Sequence, residues 1–97
     1  MREEILLRYL KSACLGKKNA VKCRELCAML HIGGTDLRKL VSRLRRKGVP
    51  VAATRDGYFY AKTAHEVYDA IRQLTKLRDG VNAAIVGLES ALNGFEK

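Results

Sequence analysis

The chain has 97 residues, of which 47% are hydrophobic and 30% are charged, and it contains a single proline. A chain of this length has room for one small domain that buries roughly 60% of its extended surface, and none for a second independent domain. Its 19 Lys and Arg residues against 10 Asp and Glu residues give a net charge of +9, which favours a polyanionic partner.

This charge is unevenly distributed along the chain. Residues 1–63 carry 15 basic and 5 acidic side chains, a balance of +10, whereas residues 64–97 carry 4 and 5, a balance of −1. We therefore expect the first part to contact a polyanion and the second part to have another role.

The first four residues lack the features of a secretory signal, and no stretch approaches membrane-spanning length, so a cytoplasmic location is expected.

Cys14, Cys23 and Cys27 form an odd set at apolar helix positions, which is typical of free, buried thiols in a reducing compartment. A thiol switch is the lesser alternative. Cys23, Cys27 and His31 follow at intervals of four, but a straight helix separates the first and last by about 12 Å. No metal site and no cofactor are therefore predicted.

Three amphipathic helices are predicted before residue 48, each with apolar residues at helical spacing. They run from about Glu3 to Leu15, from about Val21 to His31, and from about Thr35 to Lys47. Glycines are expected to end each of them: Gly16, Gly33-Gly34 and Gly48.

A β-hairpin is predicted next, because Val49–Ala53 and Tyr58–Ala61 are short β-prone runs. Asp56-Gly57 between them is a strong signal for a two-residue turn. The two tyrosines of the second strand are expected to pack under the hairpin. Phe59 on the opposite face is expected either to pack on a later helix or to be exposed.

The remainder predicts one long helix from Ala64 to about Asn93, opened by a capping box at Thr63 and Glu66. Apolar residues follow a heptad spacing of alternating four and three, interrupted only by Arg78. These positions define the seam: Val67, Ile71, Leu74, Arg78, Val81, Ile85, Leu88 and Leu92. A helical hairpin broken at Asp79-Gly80 is the alternative.

A stripe of small residues lies beside this seam and would permit close helix approach: Gly80, Ala84, Gly87, Ala91 and Gly94. A helix roughly 45 Å long exceeds what one small module can cover, so its distal half needs a partner. We therefore expect a coiled-coil homodimer, antiparallel or crossed, with these dimerisation residues: Val67, Ile71, Leu74, Leu77, Val81, Ala84, Ile85, Leu88 and Leu92.

The third helix has a strongly basic face opposite its apolar stripe of Leu37, Leu40, Val41 and Leu44. At 100° per residue this outer face carries Thr35, Arg38, Lys39, Ser42 and Arg46, with Arg43 and Arg45 at its flanks. The alternative interpretation of such a run is a solvated surface, and Arg45 lies close enough to the core stripe to have a structural role instead.

The order of these segments resembles the winged helix-turn-helix domain of biotin-repressor-like bacterial regulators over residues 3–61. The residues that carry the resemblance are Leu30-His31-Ile32-Gly33, Leu37, Val41, Leu44, Arg45, Gly48-Val49, Val51 and Gly57-Tyr58. Lys47-Gly48-Val49-Pro50 followed by Gly57-Tyr58-Phe59-Tyr60 is also similar to small phage and prophage proteins. Gly33-Gly34 departs from the usual polar turn, and no biotin ligase domain is present, so no enzymatic activity is implied.

The resemblance implies a mainly α (α+β) fold: a three-helix winged helix-turn-helix with a two-stranded wing over 1–62, then a dimerisation helix over 63–97. The third helix would be the recognition helix, and the wing would touch the DNA backbone or minor groove. Arg38, Lys39 and Ser42 would reach base edges, Thr35 or the Gly34 amide a phosphate, and Arg43, Arg45, Arg46 and Lys47 further phosphates. Arg55 at the wing tip would contact the minor groove or a phosphate, the alternative being that it only supplies the polar residue of the turn.

We therefore expect a non-enzymatic, sequence-specific double-stranded DNA-binding homodimer, either a transcriptional regulator or another phage-type protein, with no small-molecule ligand. The alternative is a protein-interaction adaptor whose basic face binds an acidic protein and whose long helix pairs with a heterologous helix. An enzyme is the weakest class, because no paired carboxylates, activated nucleophile or phosphate-binding glycine loop is found.

Overall fold

The computed structural model describes residues 2–95, and that part of the chain is mainly helical with a two-stranded antiparallel sheet and a long C-terminal helix. The bounds of the helices and strands are α1 Arg2–Ala13, α2 Cys23–Leu30, α3 Gly34–Arg46, β1 Val51–Thr54, β2 Gly57–Tyr60 and α4 Ala64–Phe95. This element order agrees with the order predicted from the sequence.

The hydrophobic core lies between the first three helices and the hairpin. Leu6, Leu10, Leu26 and Leu37 are fully buried. The predicted inner stripe of α3 is also confirmed, because all four of its residues, Leu37, Leu40, Val41 and Leu44, belong to the core. Burying this stripe turns the opposite, basic side of α3 towards solvent.

The turn between α2 and α3 differs from the prediction, which assigned the helix break to the two glycines. His31 ends α2 in the left-handed conformation, with φ 55°. The Ile32 N–H then donates to the Cys27 carbonyl over 3.1 Å, which closes the last turn. Gly33 has φ −85° and stands at the N-cap of α3, while Gly34 is already the first residue of that helix.

Gly48 ends α3 as predicted. Its φ is 89°, and the following Val49 N–H donates to the Leu44 carbonyl over 3.0 Å. A left-handed residue with this hydrogen bond is the usual glycine C-cap of a helix. The chain is thereby redirected into β1.

The hairpin has a two-residue loop, as predicted, but its residues are Arg55 and Asp56 rather than Asp56 and Gly57. Thr54 pairs with Gly57, and the Asp56 N–H donates to Thr54 Oγ1 over 3.1 Å. Gly57 has φ 126°, and a Cβ built there would overlap the Val21 carbonyl oxygen. Glycine is therefore required by close contact with another segment and by its φ.

That other segment is the connection between α1 and α2, in which Val21 lies outside α2 although the sequence placed it at the start of the second helix. Val21 and Tyr58 exchange two backbone hydrogen bonds of 2.9 and 2.8 Å. Further along β2, the Tyr60 N–H donates to the Cys14 carbonyl and the Gly16 N–H donates to the Tyr60 carbonyl, both over 2.8 Å. The connection therefore covers the edge of β2 that β1 leaves unpaired.

The aromatic residues of β2 show which face of the strand is buried. Phe59 is buried with Ala52 opposite it, and both line a small cavity with Ala70 of α4. Tyr58 and Tyr60 are half-buried on the other face. Of the two alternatives for Phe59, burial towards the long helix is therefore the one observed.

The long helix α4 runs without interruption through Gly80, so the alternative of a helical hairpin broken there is wrong. At 1.5 Å per residue its 32 residues extend about 48 Å. No residue of α4 is classed as buried, and its distal half contributes to principal dimensions of 58 × 31 × 23 Å.

The N-terminus of α4 is anchored by Glu66, although not as the predicted capping box requires. Thr63 Oγ1 accepts a hydrogen bond from the Glu66 N–H over 3.2 Å, as expected. The Glu66 carboxylate, however, accepts from the Lys62 N–H at 2.7 Å and from the Lys17 N–H at 3.1 Å. These backbone hydrogen bonds lower the pKa of Glu66 below its ordinary value. Glu66 therefore ties α4 to the α1–α2 connection.

Within residues 2–95, no helix is both long enough and apolar enough to cross a lipid bilayer.

Candidate nucleic-acid interface

The outward side of α3 presents the residues predicted for it. We define the basic face as Thr35, Arg38, Lys39, Ser42 and Arg46, all of which are exposed. The burial of the opposite stripe fixes this orientation. A rigid helix of 13 residues thus displays three cations along one side.

Arg38 lies over the N-terminal end of α3. One of its guanidinium nitrogens, Nη2, is 3.4 Å from Thr35 Oγ1, to which it donates. The other guanidinium nitrogen, Nη1, lies beside Gly34. If Gly34 carried a Cβ, that atom would lie 3.9 Å from Nη1 and 4.0 Å from Cys23 Sγ. The N-cap residue Gly33 supplies no side-chain hydrogen bond to the first turn. A cation and uncapped backbone N–H groups therefore lie together, an arrangement suited to an anion.

Arg43, at the flank of the basic face, forms an ion pair within the molecule. Its Nη1 lies 3.7 Å from Glu3 Oε2, and Lys47 Nζ lies 2.6 Å from Glu3 Oε1. The hydrogen bond from Lys47 is the largest cause of a lowered pKa at Glu3, with the charges of both cations adding to it. Both side chains remain more than half exposed, so Glu3 joins α1 to the end of α3 without covering them.

Arg45 has the structural role that the sequence left as an alternative. Its Nε donates to the Val51 carbonyl over 2.8 Å, which fixes β1 to α3. Burial is the largest cause of a pKa below the ordinary arginine value. The guanidinium is thus part of the packing between helix and hairpin.

The hairpin tip brings a second group of cations together. Arg55 is exposed in the two-residue loop and lines a cleft with Lys22 and Arg24 at the start of α2. Tyr58 lies at the base of this cleft, which has a volume of about 390 Å³, and burial raises the pKa of its hydroxyl. Sequence reasoning missed Lys22 and Arg24. The only available signal was the basic pair itself, because its proximity to Arg55 depends on the pairing of Val21 with Tyr58.

The cations of this region differ in how they are neutralised. Among residues 2–95, Arg38, Lys39, Arg46 and Arg55 form no ion pair with a carboxylate. The two arginines of α4, by contrast, pair with neighbouring carboxylates, Arg72 with Asp69 and Arg78 with Asp79, each over 3.7 Å. Three cations without a carboxylate partner among the described residues thus lie along α3, and a fourth lies at the hairpin tip.

The three cysteines are free, but only Cys14 is buried as expected. Cys23 and Cys27 are half-buried on α2, with their Sγ atoms 3.8 Å apart. Burial is the largest cause of a raised pKa at Cys27. In the part of the chain that the structure describes, no group of three or more His, Cys, Asp or Glu residues is placed to hold a metal ion.

The predicted dimerisation residues lie along one helix, as their spacing requires. Val67 is half-buried at the base of α4, and the others are exposed: Ile71, Leu74, Leu77, Val81, Ala84, Ile85, Leu88 and Leu92. They are therefore separate from the basic face and form a second candidate surface.

The sequence matches none of the protein families and none of the curated proteins with which it was compared.

Proposed function

We propose that the protein binds double-stranded DNA through the basic face of α3 and the cationic cleft at the hairpin tip. The observation that carries the proposal is the group of exposed cations Arg38, Lys39 and Arg46 on one rigid helix, without carboxylate partners among residues 2–95. An α-helix fits the major groove of B-DNA, which is about 12 Å wide.

The order of helices and hairpin supports this proposal, since it is compatible with the winged helix-turn-helix domain that the sequence resembles. In that arrangement α3 is the recognition helix and the β1–β2 hairpin is the wing. The function proposed on this basis is that of a transcriptional regulator or another phage-type DNA-binding protein.

Sequence discrimination is assigned to the first half of α3. Arg38 and Lys39 can donate to guanine O6 and N7, and Ser42 can donate to or accept from either base of a pair. Thr35 and the uncapped first turn of α3 would bind a phosphate beside the groove. Bidentate contacts of this kind discriminate between bases by about 1–3 kcal/mol each.

Phosphate contacts are assigned to the cations near the end of α3 and at the hairpin tip. Arg46 lies towards the end of α3, and Arg55 shares its cleft with Lys22 and Arg24. Arg43 and Lys47 can also reach a phosphate, but they would share their charge with Glu3. Arg45 is omitted from this set because its guanidinium is bonded to the Val51 carbonyl.

Selection of bound sequences from a random duplex pool tests the proposal. The wild type should enrich one motif, and the double variant Arg38→Ala/Lys39→Ala should lose the enrichment while still binding duplex weakly. The double variant Lys11→Ala/Lys76→Ala removes the same charge from other parts of the surface and should enrich the wild-type motif.

Two results would count against specific DNA binding. Enrichment that survives in Arg38→Ala/Lys39→Ala would remove α3 from the readout of sequence. Failure of the wild type to retain any duplex would instead favour a surface for an acidic protein.

A further inference from the structure

We infer that α4 pairs with α4 of a second copy of this chain, in antiparallel orientation, about a two-fold axis between Asp79 and Gly80. The inference starts from the seam, whose apolar side chains Ile71, Leu74, Val81, Ile85, Leu88 and Leu92 are 42–72% exposed in the single chain. From Val67 to Leu92 the seam extends over 25 residue steps, or about 37 Å of helix.

The seam is symmetric about its own centre. Reversing the helix about the point between residues 79 and 80 places every seam residue opposite another seam residue, in the layers Val67–Leu92, Ile71–Leu88, Leu74–Ile85 and Arg78–Val81. Each layer then combines the two kinds of core position of a heptad, as an antiparallel pair of helices requires. A closed two-fold pair buries this whole surface without leaving a free end.

Charge placement favours antiparallel over parallel pairing. Glu89 is the single charged residue between positions 80 and 95, and it has no ion-pair partner among the described residues. The antiparallel register places it on the side of the pair that carries Tyr68 and Arg72 of the second copy. Parallel pairing would leave Glu89 and Arg72, which are 17 residues apart, separated by about 25 Å.

An apolar groove at the base of α4 provides a seat for the far end of a second helix. It has a volume of about 260 Å³ and is lined by residues of α4 and of the α3–β1 region: Val67, Ile71, Leu74, Gly48, Val49 and Val51, with Arg45 and Ala70 beside them. In the antiparallel register, Leu88 and Leu92 of the second copy arrive opposite Ile71 and Val67, at this groove. Pairing of the two helices would then cover both the seam of α4 and the apolar groove at its base.

The glycines of α4 are consistent with close approach of a second helix. A Cβ added at Gly80, Gly87 or Gly94 would have no atom within 4 Å, so the packing of a single chain does not require glycine at these positions. Their stripe flanks the seam, where small residues let two helix backbones come together. Pairing is independent of DNA, but it would join two basic faces in one symmetric particle.

Light scattering of the full chain without DNA tests the pairing, with far-UV circular dichroism to monitor folding. The wild type should have twice the mass of the chain. Leu88→Asp, in the seam, should give the monomer mass while keeping the cooperative thermal unfolding of the N-terminal core, whereas Val86→Asp, outside the seam and similarly exposed, should remain dimeric. A monomeric wild type, or a dimer unaffected by Leu88→Asp, would overturn the inference.

A charge exchange tests the register. Glu89→Arg places like charges together at two symmetric contacts and should weaken dimerisation about fivefold to tenfold. Arg72→Glu/Glu89→Arg should restore most of the loss if the helices are antiparallel. A dimer that loses affinity in Glu89→Arg without recovery in the double variant, or that does not respond to Glu89→Arg, would contradict the antiparallel register while leaving DNA binding untouched.

Discussion

Residues 2–61 and helix α4 carry similar apolar periodicities, but the structure uses them differently. In the first region the apolar stripes of three helices meet one another and the hairpin, and all the buried hydrophobic residues lie there. In α4 an equally regular stripe is exposed along most of its length. Periodicity therefore identifies an apolar face, and only the packing of the folded chain shows whether other elements of the described residues cover that face.

The same two regions differ in electrostatics. The first carries 14 basic and 5 acidic side chains, a surplus of nine positive charges, and leaves four cations of α3 and the hairpin tip unpaired, whereas α4 pairs its arginines locally. Self-repulsion among unpaired cations opposes the folded state, and a polyanion would relieve it. The proposed DNA binding and the inferred helix pairing therefore fall on different regions of the molecule.

The sharpest test of the first region is Gly57→Ala, for which we expect a loss of about 4 kcal/mol or more in unfolding free energy. The new Cβ would overlap the Val21 carbonyl, and φ of 126° is unfavourable for alanine. Urea denaturation followed by tyrosine fluorescence measures the change. Gly33→Ala, with open space and φ of −85°, should cost less than about 1 kcal/mol. Equal effects would refute the close contact between β2 and the α1–α2 connection.

The contrast in burial predicts different costs for truncating apolar side chains in the two regions. Leu26→Ala should cost about 3 kcal/mol, because Leu26 is fully buried in α2. Val86→Ala in α4 should change the same denaturation midpoint little, since Val86 is 65% exposed and outside the seam. A large loss from Val86→Ala would show that the exposed face of α4 is packed in solution.

The carboxylates of Glu3 and Glu66, which join separate elements, should make the unfolding free energy depend on pH. The expected change is smaller than the loss expected for Leu26→Ala. Both Glu3 and Glu66 have pKa values lowered from 4.5 in the folded chain. Their contribution is therefore complete above about pH 4.5 and is lost as pH falls through the lowered folded values. Thermal melts at a series of pH values should show this decrease, and Glu3→Gln/Glu66→Gln should flatten it. An unchanged profile in that double variant would exclude both residues as its cause.

The smallest expected effect is a gain at the α2–α3 turn. His31→Gly should stabilise the protein by about 0.5–1 kcal/mol, because glycine adopts the left-handed conformation that histidine adopts with strain. Gly48→Ala replaces a glycine that has a positive φ at the end of α3, so this variant should be less stable by a similar amount. Differential scanning calorimetry of the two variants should move the melting temperature in opposite directions, and a loss in His31→Gly would disprove the strain.

Local sequence signals predicted the elements and the inner stripe of α3 because helix periodicity and glycine stops act over a few residues. They misplaced the hairpin loop by one residue, because Gly57 is needed for its contact with Val21 rather than for the turn. They also assigned the α2 stop to glycines, whereas His31 takes the left-handed position. Both errors come from choosing the residue with the highest propensity where tertiary contacts decide.

The candidate site was predictable only where it lies on one helix. Thr35, Arg38, Lys39, Ser42 and Arg46 share a face by spacing alone, and all are exposed. The partners of Arg43 and Arg45, Glu3 and the Val51 carbonyl, lie on other elements, as does the cleft that joins Arg55 to Lys22 and Arg24. Such contacts between distant segments depend on packing, which spacing does not encode.

The most direct test of the central claim is the salt dependence of binding to random duplex DNA, measured by fluorescence anisotropy. The wild type should bind at low salt with an affinity that falls steeply as salt increases, and Arg46→Ala/Arg55→Ala should reduce the slope of log K against log salt concentration by about 2. Lys11→Ala/Lys76→Ala should leave the slope close to that of the wild type. No binding at low salt, or equal slopes for Arg46→Ala/Arg55→Ala and the wild type, would contradict DNA contact by α3 and the hairpin tip.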